Sequence, residues 1–169
     1  MTRKKRLTSD IKYLVLHHTA SADAYSSHDS LDAHLRATNL GYHVTVDDDM
    51  ALKAKAAGSD GHFTFRQHVP DNEVVWGAAG CNYNGWHLAI DGNSQVKYPT
   101  ADELHAVVQI FATKAKLLGW RKKDVSRIVS HNYVGLHISP TKYVTECPGL
   151  PLIDWMPTLR AKVAAYLPE

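Results

Sequence analysis

Three residues of zinc-binding types stand far apart in the chain: His17 in YLVLHHTAS, His131 in RIVSHNYVG and Cys147 in TECPG. Each is expected at a strand end or in a loop. Two imidazoles and one thiolate fill three positions of a tetrahedral zinc and leave the fourth open for water, which is the pattern of a catalytic rather than a structural zinc site. The sequence therefore predicts a centre for zinc-assisted hydrolysis, which requires the fold to gather these residues.

Further segments accompany these residues in a fixed order. They are HHTA at 17–20, GYHVTV at 41–46, WGAAGCN at 76–82, WHLAIDG at 86–92 and TECPG at 145–149. In this order, over nearly the whole chain, the sequence resembles the zinc-dependent N-acetylmuramoyl-L-alanine amidase family, which includes phage endolysins and peptidoglycan recognition proteins. The resemblance implies Zn²⁺ as the cofactor, with His17, His131 and Cys147 as its ligands, and peptidoglycan as the substrate.

The hydrophobic pattern predicts an α/β fold: one domain with a central, mixed, mainly β-sheet flanked by helices. Strands are predicted over 12–18, 86–90 and 127–130, and a hairpin over 42–46 and 50–54. Residues 57–73 contain two glycines and a proline, and are predicted to form a long loop. Because long loops in a compact domain are usually functional, we expect this loop to form a wall of the substrate groove.

Three helices are predicted from their caps and apolar spacing. The first covers 30–39, with Asp29 or Ser30 as its N-cap. The second opens with a capping box from Thr100 to Glu103 and stops at Gly119. The third runs from about residue 154 to about residue 166, and Pro157 is expected to be tolerated because it falls in the first turn.

Length and composition predict the domain organisation and exclude some functions. The 169 residues suit one domain over 11–169, preceded by a flexible basic arm over 1–10. A net charge of +2 is too small to predict nucleic-acid binding, and no segment approaches a membrane span. We expect a monomer. The two cysteines predict no disulfide framework, and Cys81 is expected to be a small buried hydrophobe. Most of the eleven histidines are expected on the surface or along a groove.

The neighbours of His17 are expected to complete the site. His18 follows His17 in an extended strand, so its side chain points to the opposite face. The resemblance assigns the metal to His17, and His18 is expected to pack behind the sheet, support the ligands or contact substrate. Tyr42 matches a family tyrosine that holds the attacking water or donates to the oxyanion. Another branch of the family uses a glutamate where this chain has Ala89, which favours Tyr42, and Asp91 is a weaker candidate for general base.

The last part of the chain leaves two assignments open. Thr145 matches a family position of lysine or threonine, so its hydroxyl is expected either to donate to the oxyanion or to cap the turn before Pro148. The late histidine of typical members precedes the cysteine by about eight to ten residues, whereas His131 and Cys147 are sixteen apart. Either the segment after His131 holds an insertion, or His137 is the ligand. The apolar strand that leads into His131 favours His131.

We expect the substrate to contact His18, Trp76, Asn82 and His137. The resemblance implies hydrolysis of the amide bond between the lactyl group of N-acetylmuramic acid and L-alanine, most similar to a phage endolysin aimed at a thin wall. Two other functions remain: a non-catalytic peptidoglycan-recognition module, and a cytoplasmic amidase that recycles muropeptides. With only four apolar residues, 13–16, before two histidines, no secretory signal is predicted, so we expect synthesis in the host cytoplasm and action on the cell wall after release.

Overall fold

The computed structural model describes residues 3–20, 28–38, 40–47, 64–140 and 144–169. The five strands of these ranges are β1 (Tyr13–His18), β2 (Val44–Asp47), β3 (Thr64–Gln67), β4 (Gly85–Ile90) and β5 (Ile128–Ser130). The longer helices are α1 (His28–Ala37), α2 (Ala101–Leu117) and α3 (Leu150–Ala164). Short 3₁₀ helices cover Thr8–Asp10 and Lys122–Arg127, and a helical turn at His131–Tyr133 continues into a π-helical turn at Val134–Ile138.

The strands form one mixed sheet in the order β3-β2-β4-β1-β5. Strand β1 pairs in parallel with β4 and β5, β2 pairs in parallel with β4, and β3 is antiparallel to β2. The carboxyl ends of β1 and β5 lie side by side, with Leu16 opposite Ser130. The predicted fold class, a single α/β domain with a mixed sheet and flanking helices, is confirmed. The register places His17 and His131 at the carboxyl ends of two neighbouring strands.

The two faces of the sheet carry different clusters of buried residues. Alternate strand residues such as Leu14, Leu16 and Leu88 point to one face and pack in a large apolar core with α2 and α3. The opposite face has a small cluster, made by Val15, Ala78, Cys81, Val129 and Val134. Cys81 is fully buried there, as predicted. Residues of β1 and β4 that share the face of Val15 are therefore not committed to the main core.

The antiparallel strand beside β2 differs from the prediction. The expected second strand of the hairpin, 50–54, lies outside the described residues. The predicted loop over 57–73 is wrong at residues 64–67, because Thr64–Gln67 forms β3 and pairs with β2 from Val44↔Gln67 to Asp47↔Thr64. The glycines and proline that flank β3 in sequence concealed it, and its pairing with β2 is a non-local contact.

Two helix boundaries also differ. Helix α1 begins at His28, so Asp29 and Ser30 lie in its first turn rather than at its N-cap. Helix α3 begins at Leu150, with Pro151 in the first turn. Pro157 is therefore an interior residue, which corrects the prediction. It is exposed, so the backbone carbonyl that it leaves unpaired is on the side of the helix that water reaches. The capping box of α2 is confirmed by reciprocal contacts between Thr100 and Glu103.

The basic arm is not a free segment over residues 3–10. The backbone of this arm bonds to 72–74, through Arg6 N to Asn72 O at 2.9 Å and Val74 N to Lys4 O at 2.9 Å. Arg6 is 5% exposed, and its guanidinium donates to the carbonyl oxygens of Tyr83 and Gly85. A buried arginine satisfied by carbonyls leaves no sequence pattern, so the sequence alone does not indicate these contacts.

Candidate metal centre

The structure brings His17, His131 and Cys147 together. One ligand atom from each residue lies within 4.8 Å of the other two. Cys147 Sγ and His17 Nδ1 are 3.7 Å apart, and the rings of His17 and His131 have their centroids 4.7 Å apart. His17 is 1% exposed. Three possible metal ligands from three distant segments therefore lie close enough together to share one metal ion.

Local hydrogen bonds explain how the sixteen-residue separation between His131 and Cys147 is closed. The Ser130 hydroxyl accepts from Tyr133 N and caps the helical turn that starts at His131. Asn132 then donates from its backbone N to Cys147 O at 2.8 Å and from its side chain to Thr145 O at 2.7 Å. Asn132 therefore ties the residues around Cys147 to the helical turn that begins at His131.

His137 lies apart from this group. Its ring packs against Tyr133, with 4.4 Å between the ring centroids, and its side chain is exposed. Of the two late histidines, His131 is the residue whose ring nitrogen is close to His17 and Cys147. This geometry favours His131 as a ligand and leaves His137 in the π-helical turn that follows it.

Burial shifts the pKa values of the three candidate ligands. Burial, together with the neighbouring His131 and His87, lowers the pKa of His17 well below its ordinary value. Burial, assisted by His18, lowers the pKa of His131 to about 4. Both imidazoles are therefore neutral at pH 7, as metal ligands must be. Burial raises the pKa of the Cys147 thiol to about 12, so its thiolate requires a neighbouring positive charge such as a metal ion.

We expect the metal-free protein to lose stability in acid because of these buried imidazoles. The unfolded chain takes up protons near pH 6.5, whereas folded His131 resists protonation down to a pKa of about 4. Its contribution is fully present above pH 6.5 and is lost as the pH falls toward 4. Between about pH 7.5 and about pH 5, His131 alone lowers the free energy of unfolding by about 2 kcal/mol.

Urea unfolding of the chelated protein at both pH values measures this loss. His131→Ala should reduce the change in the free energy of unfolding between the two pH values. The matched variant His105→Ala, on the exposed side of α2, should leave that change as it is in the unaltered protein. An equal pH dependence for His131→Ala and the unaltered protein would contradict the prediction.

Comparison with known families shows which family the chain belongs to. The family model for N-acetylmuramoyl-L-alanine amidases (Amidase_2) matches residues 7–150, which include all three converging residues. The chain belongs to this amidase family. The family acts on peptidoglycan, and the resemblance inferred from the sequence motifs is confirmed. No curated protein matches the chain.

Solved structures with the same fold include members of the amidase family and peptidoglycan recognition proteins. The N-acetylmuramoyl-L-alanine amidase LysC from Clostridium intestinale is 20% identical, with a TM-score of 0.65 over 96% of this chain and 93% of that one. An endolysin of a Thermus scotoductus bacteriophage is 20% identical, with a TM-score of 0.63 over 95% and 89%. The Drosophila peptidoglycan recognition protein SD is 16% identical, with a TM-score of 0.59 over 88% and 80%. At these identities the likeness shows the fold alone.

Two hydroxyl groups predicted for amidase chemistry lie near the three donors. The Tyr42 ring is 5.2 Å from the His17 ring, and its hydroxyl is 3.5 Å from His18 O. The Thr145 hydroxyl accepts from Cys147 N at 3.1 Å, which is the turn-capping contact. Because Thr145 Oγ1 accepts in that bond, its own O–H remains able to donate. Capping and donation to substrate are thus compatible at Thr145.

The alternative base, Asp91, has another set of contacts. Its carboxylate accepts from the Thr19 hydroxyl at 2.5 Å and from Gly92 N at 3.0 Å, which closes the turn after β4. Ala89 is in register with His17 and presents only a methyl group where another branch of the amidase family has a glutamate. These placements favour Tyr42 over Asp91 as the polar group beside the centre.

The predicted substrate contacts are spread over three different environments. His18 is buried and accepts from Ser94 N through Nδ1, which ties the end of β1 to residues after β4. Asn82 Oδ1 accepts from the backbone N–H groups of Gly77 and Ala78, so this side chain holds its own turn. Trp76, next to that turn, is 55% exposed and therefore available to a ligand. Substrate contact stays a prediction for these residues, most directly supported for Trp76.

A residue that sequence reasoning missed lies directly behind His17. His87 is fully buried in β4, and its Nδ1 is 2.9 Å from His17 Nε2. Besides His87, three other histidines are buried: His17, His18 and His43. Strand alternation offered a signal for His87, because it is two residues before Ala89 and shares its face.

Proposed function

We propose that this chain is a zinc-dependent N-acetylmuramoyl-L-alanine amidase that cuts the bond between the lactyl group of N-acetylmuramic acid and L-alanine. The observation that carries the proposal is the convergence of His17, His131 and Cys147 within 4.8 Å in a member of the amidase family. A non-catalytic recognition module would not need all three donors, and relatives of that kind typically lose the cysteine. The intact set therefore favours an enzyme.

The donor set suits zinc. Nitrogen and sulfur donors are the ligands of zinc in proteins, at about 2.0–2.1 Å and 2.3 Å. A tetrahedron with those bond lengths has an N–S edge of about 3.6 Å, close to the 3.7 Å between His17 Nδ1 and Cys147 Sγ. When bound, a zinc ion supplies a Lewis acid that activates water and polarises the scissile carbonyl.

The surrounding residues would then orient the reacting groups. The Tyr42 hydroxyl, on the side of His17, would hold the attacking water or donate to the carbonyl oxygen as it becomes an oxyanion. The Thr145 hydroxyl, fixed by Cys147 N–H, would provide a second donor. Trp76 and His137, both exposed, would contact the glycan or the stem peptide.

The biological setting proposed for this activity is bacterial lysis by a phage endolysin, with the chain made in the host cytoplasm and acting as a monomer on the cell wall. In the part of the chain that the structure describes, no helix has the length and apolarity to cross a membrane. A muropeptide-recycling amidase would share the same chemistry. It would release L-alanyl peptides from soluble anhydro-muropeptides faster than from intact sacculi, and an endolysin would show the reverse.

Product analysis tests the reaction itself. Purified sacculi incubated with the protein should yield peptides that begin with a free L-alanine amino group, and glycan strands that retain the lactyl carboxylate. Mass spectrometry and amino-terminal labelling identify both products. The proposal is wrong if neither sacculi nor soluble anhydro-muropeptides are cut, or if cleavage occurs at a glycosidic or peptide cross-link bond.

We expect Tyr42→Phe to lower turnover without removing zinc. The change deletes one hydroxyl and keeps the aromatic ring against His17. Zinc content should stay near one per chain, while kcat falls by roughly 10²-fold if the hydroxyl acts in the transition state. The matched variant Tyr98→Phe, on an exposed aromatic residue, should keep full activity. Unchanged turnover in Tyr42→Phe would move attention to Asp91.

A further inference from the structure

The hydrogen bond behind His17 has a defined direction once a metal is bound. His17 Nδ1 faces Cys147 Sγ, so Nδ1 is the nitrogen that must be free of a proton to bind the ion. The neutral ring then carries its proton on Nε2, which lies 2.9 Å from His87 Nδ1. His17 is therefore the donor and His87 the acceptor.

We propose that His87 is a positioning residue for the metal centre: it accepts the Nε2–H of His17, and thereby fixes both the ring orientation and the tautomer that presents Nδ1 to zinc. This inference rests on the proposed function. Metal-binding histidines in proteins usually donate their second nitrogen to a carboxylate, a carbonyl or water. A neutral imidazole in that place adds no negative charge, so the bound metal keeps more of its Lewis acidity than beside a carboxylate.

The space around the His87 ring is shaped by two glycines. A Cβ at Gly77 would lie 3.0 Å from His87 Nδ1, and a Cβ at Gly85 would lie 2.8 Å from His87 Nε2. A side chain at either position would push the ring or its neighbours. The absence of side chains at Gly77 and Gly85 thus leaves space for the His87 ring, in which its Nδ1 contacts His17.

A second buried histidine fixes the strand at this point. His87 N donates to His43 Nδ1 at 3.0 Å, and the two rings stack with centroids 5.8 Å apart and planes 9° apart. His43 Nε2 is 2.7 Å from Arg6 Nη2, and Arg6 also donates to Gly85 O at 2.6 Å. The His87 ring, which contacts His17, therefore stacks on the buried ring of His43, and Arg6 contacts His43 in turn.

The test compares two substitutions that differ in the acceptor. His87→Asn places an amide oxygen near the position of Nδ1, whereas His87→Leu fills similar space without an acceptor. Zinc affinity is measured by competition with a chromogenic chelator, and the Co²⁺ spectrum reports ligand geometry. We expect His87→Leu to lose roughly 10–100-fold in zinc affinity and to change the Co²⁺ spectrum. His87→Asn should retain most of the affinity and the spectrum. His105→Leu and His105→Asn, on the exposed side of α2, are the matched controls and should change neither.

A measurement on the unaltered, zinc-loaded protein keeps the proposal testable if His87→Leu does not fold. The N–H···N bond should give a scalar ¹⁵N–¹⁵N coupling between His17 Nε2 and His87 Nδ1 in the NMR spectrum. Absence of that coupling, or equal zinc affinities in the leucine and asparagine variants, would overturn the role of His87. Failure of the unaltered protein to bind zinc would overturn the proposed function, and this inference with it.

Discussion

Cys147→Ala should leave the protein without tightly bound zinc and with no more turnover than the chelated protein. The change removes the thiolate and leaves two neutral imidazoles, which are too few donors for a tight zinc site at neutral pH. Burial raises the pKa of the Cys147 thiol to about 12, so the thiol loses its proton to solvent only when a bound cation stabilises the thiolate. Zinc content by atomic emission and amide hydrolysis on sacculi are the two measurements.

Cys81→Ala is the matched control for this substitution. Cys81 is the other free cysteine, fully buried in the small apolar cluster on the same face of the sheet. Its loss should lower the melting temperature by creating a small cavity, and should leave zinc stoichiometry at one. If Cys147→Ala retained one zinc per chain and near-normal turnover, the ligand assignment would be wrong.

His131→Ala should lose zinc and activity together, and His137→Ala should keep both. His131 has a ring nitrogen within reach of His17 and Cys147, whereas the exposed ring of His137 packs on Tyr133. His137→Ala should change at most the KM for substrate, because His137 is exposed in the π-helical turn after His131 and lies apart from the three ligands. Zinc content, kcat and KM of the two variants, measured side by side, separate these outcomes.

The reverse result would assign the second histidine ligand to His137 instead of His131. A zinc-loaded His131→Ala and a metal-free His137→Ala would mean that the segment after β5 is aligned incorrectly with the amidase family. The Asn132 contacts to Thr145 O and Cys147 O would then need another role, since they are what brings Cys147 back beside His131.

The sequence predicted those parts of the fold whose cause is local. The strand that ends in His17 and His18 is a short apolar run, and the capping box of Thr100 and Glu103 starts a helix with a continuous apolar face. Both signals lie within a few residues, so they needed no knowledge of the partner. The start of α3 was missed because Pro151 and Pro157 both resemble first-turn prolines, and only packing distinguishes them.

The candidate site also contains residues that the sequence could predict and residues that it could not. His17, His131 and Cys147 lie in motifs that resemble those of the amidase family, so the resemblance could predict that they come together. His87, His43 and Arg6 could not be found in that way. Each is polar and buried, and its role depends on a partner from another segment, such as His17 for His87 or Gly85 O for Arg6. Register between strands, which a single sequence does not give, decides those contacts.

Zinc reconstitution of the chelated protein tests the central claim most directly. The metal-free protein is titrated with Zn²⁺ while the release of peptides with a free L-alanine amino terminus from sacculi is followed. We predict no release without metal, a linear rise with added zinc, and saturation at one zinc per chain, with Cys147→Ala inactive throughout. Full release by the metal-free protein, or release that zinc does not restore, would contradict the account.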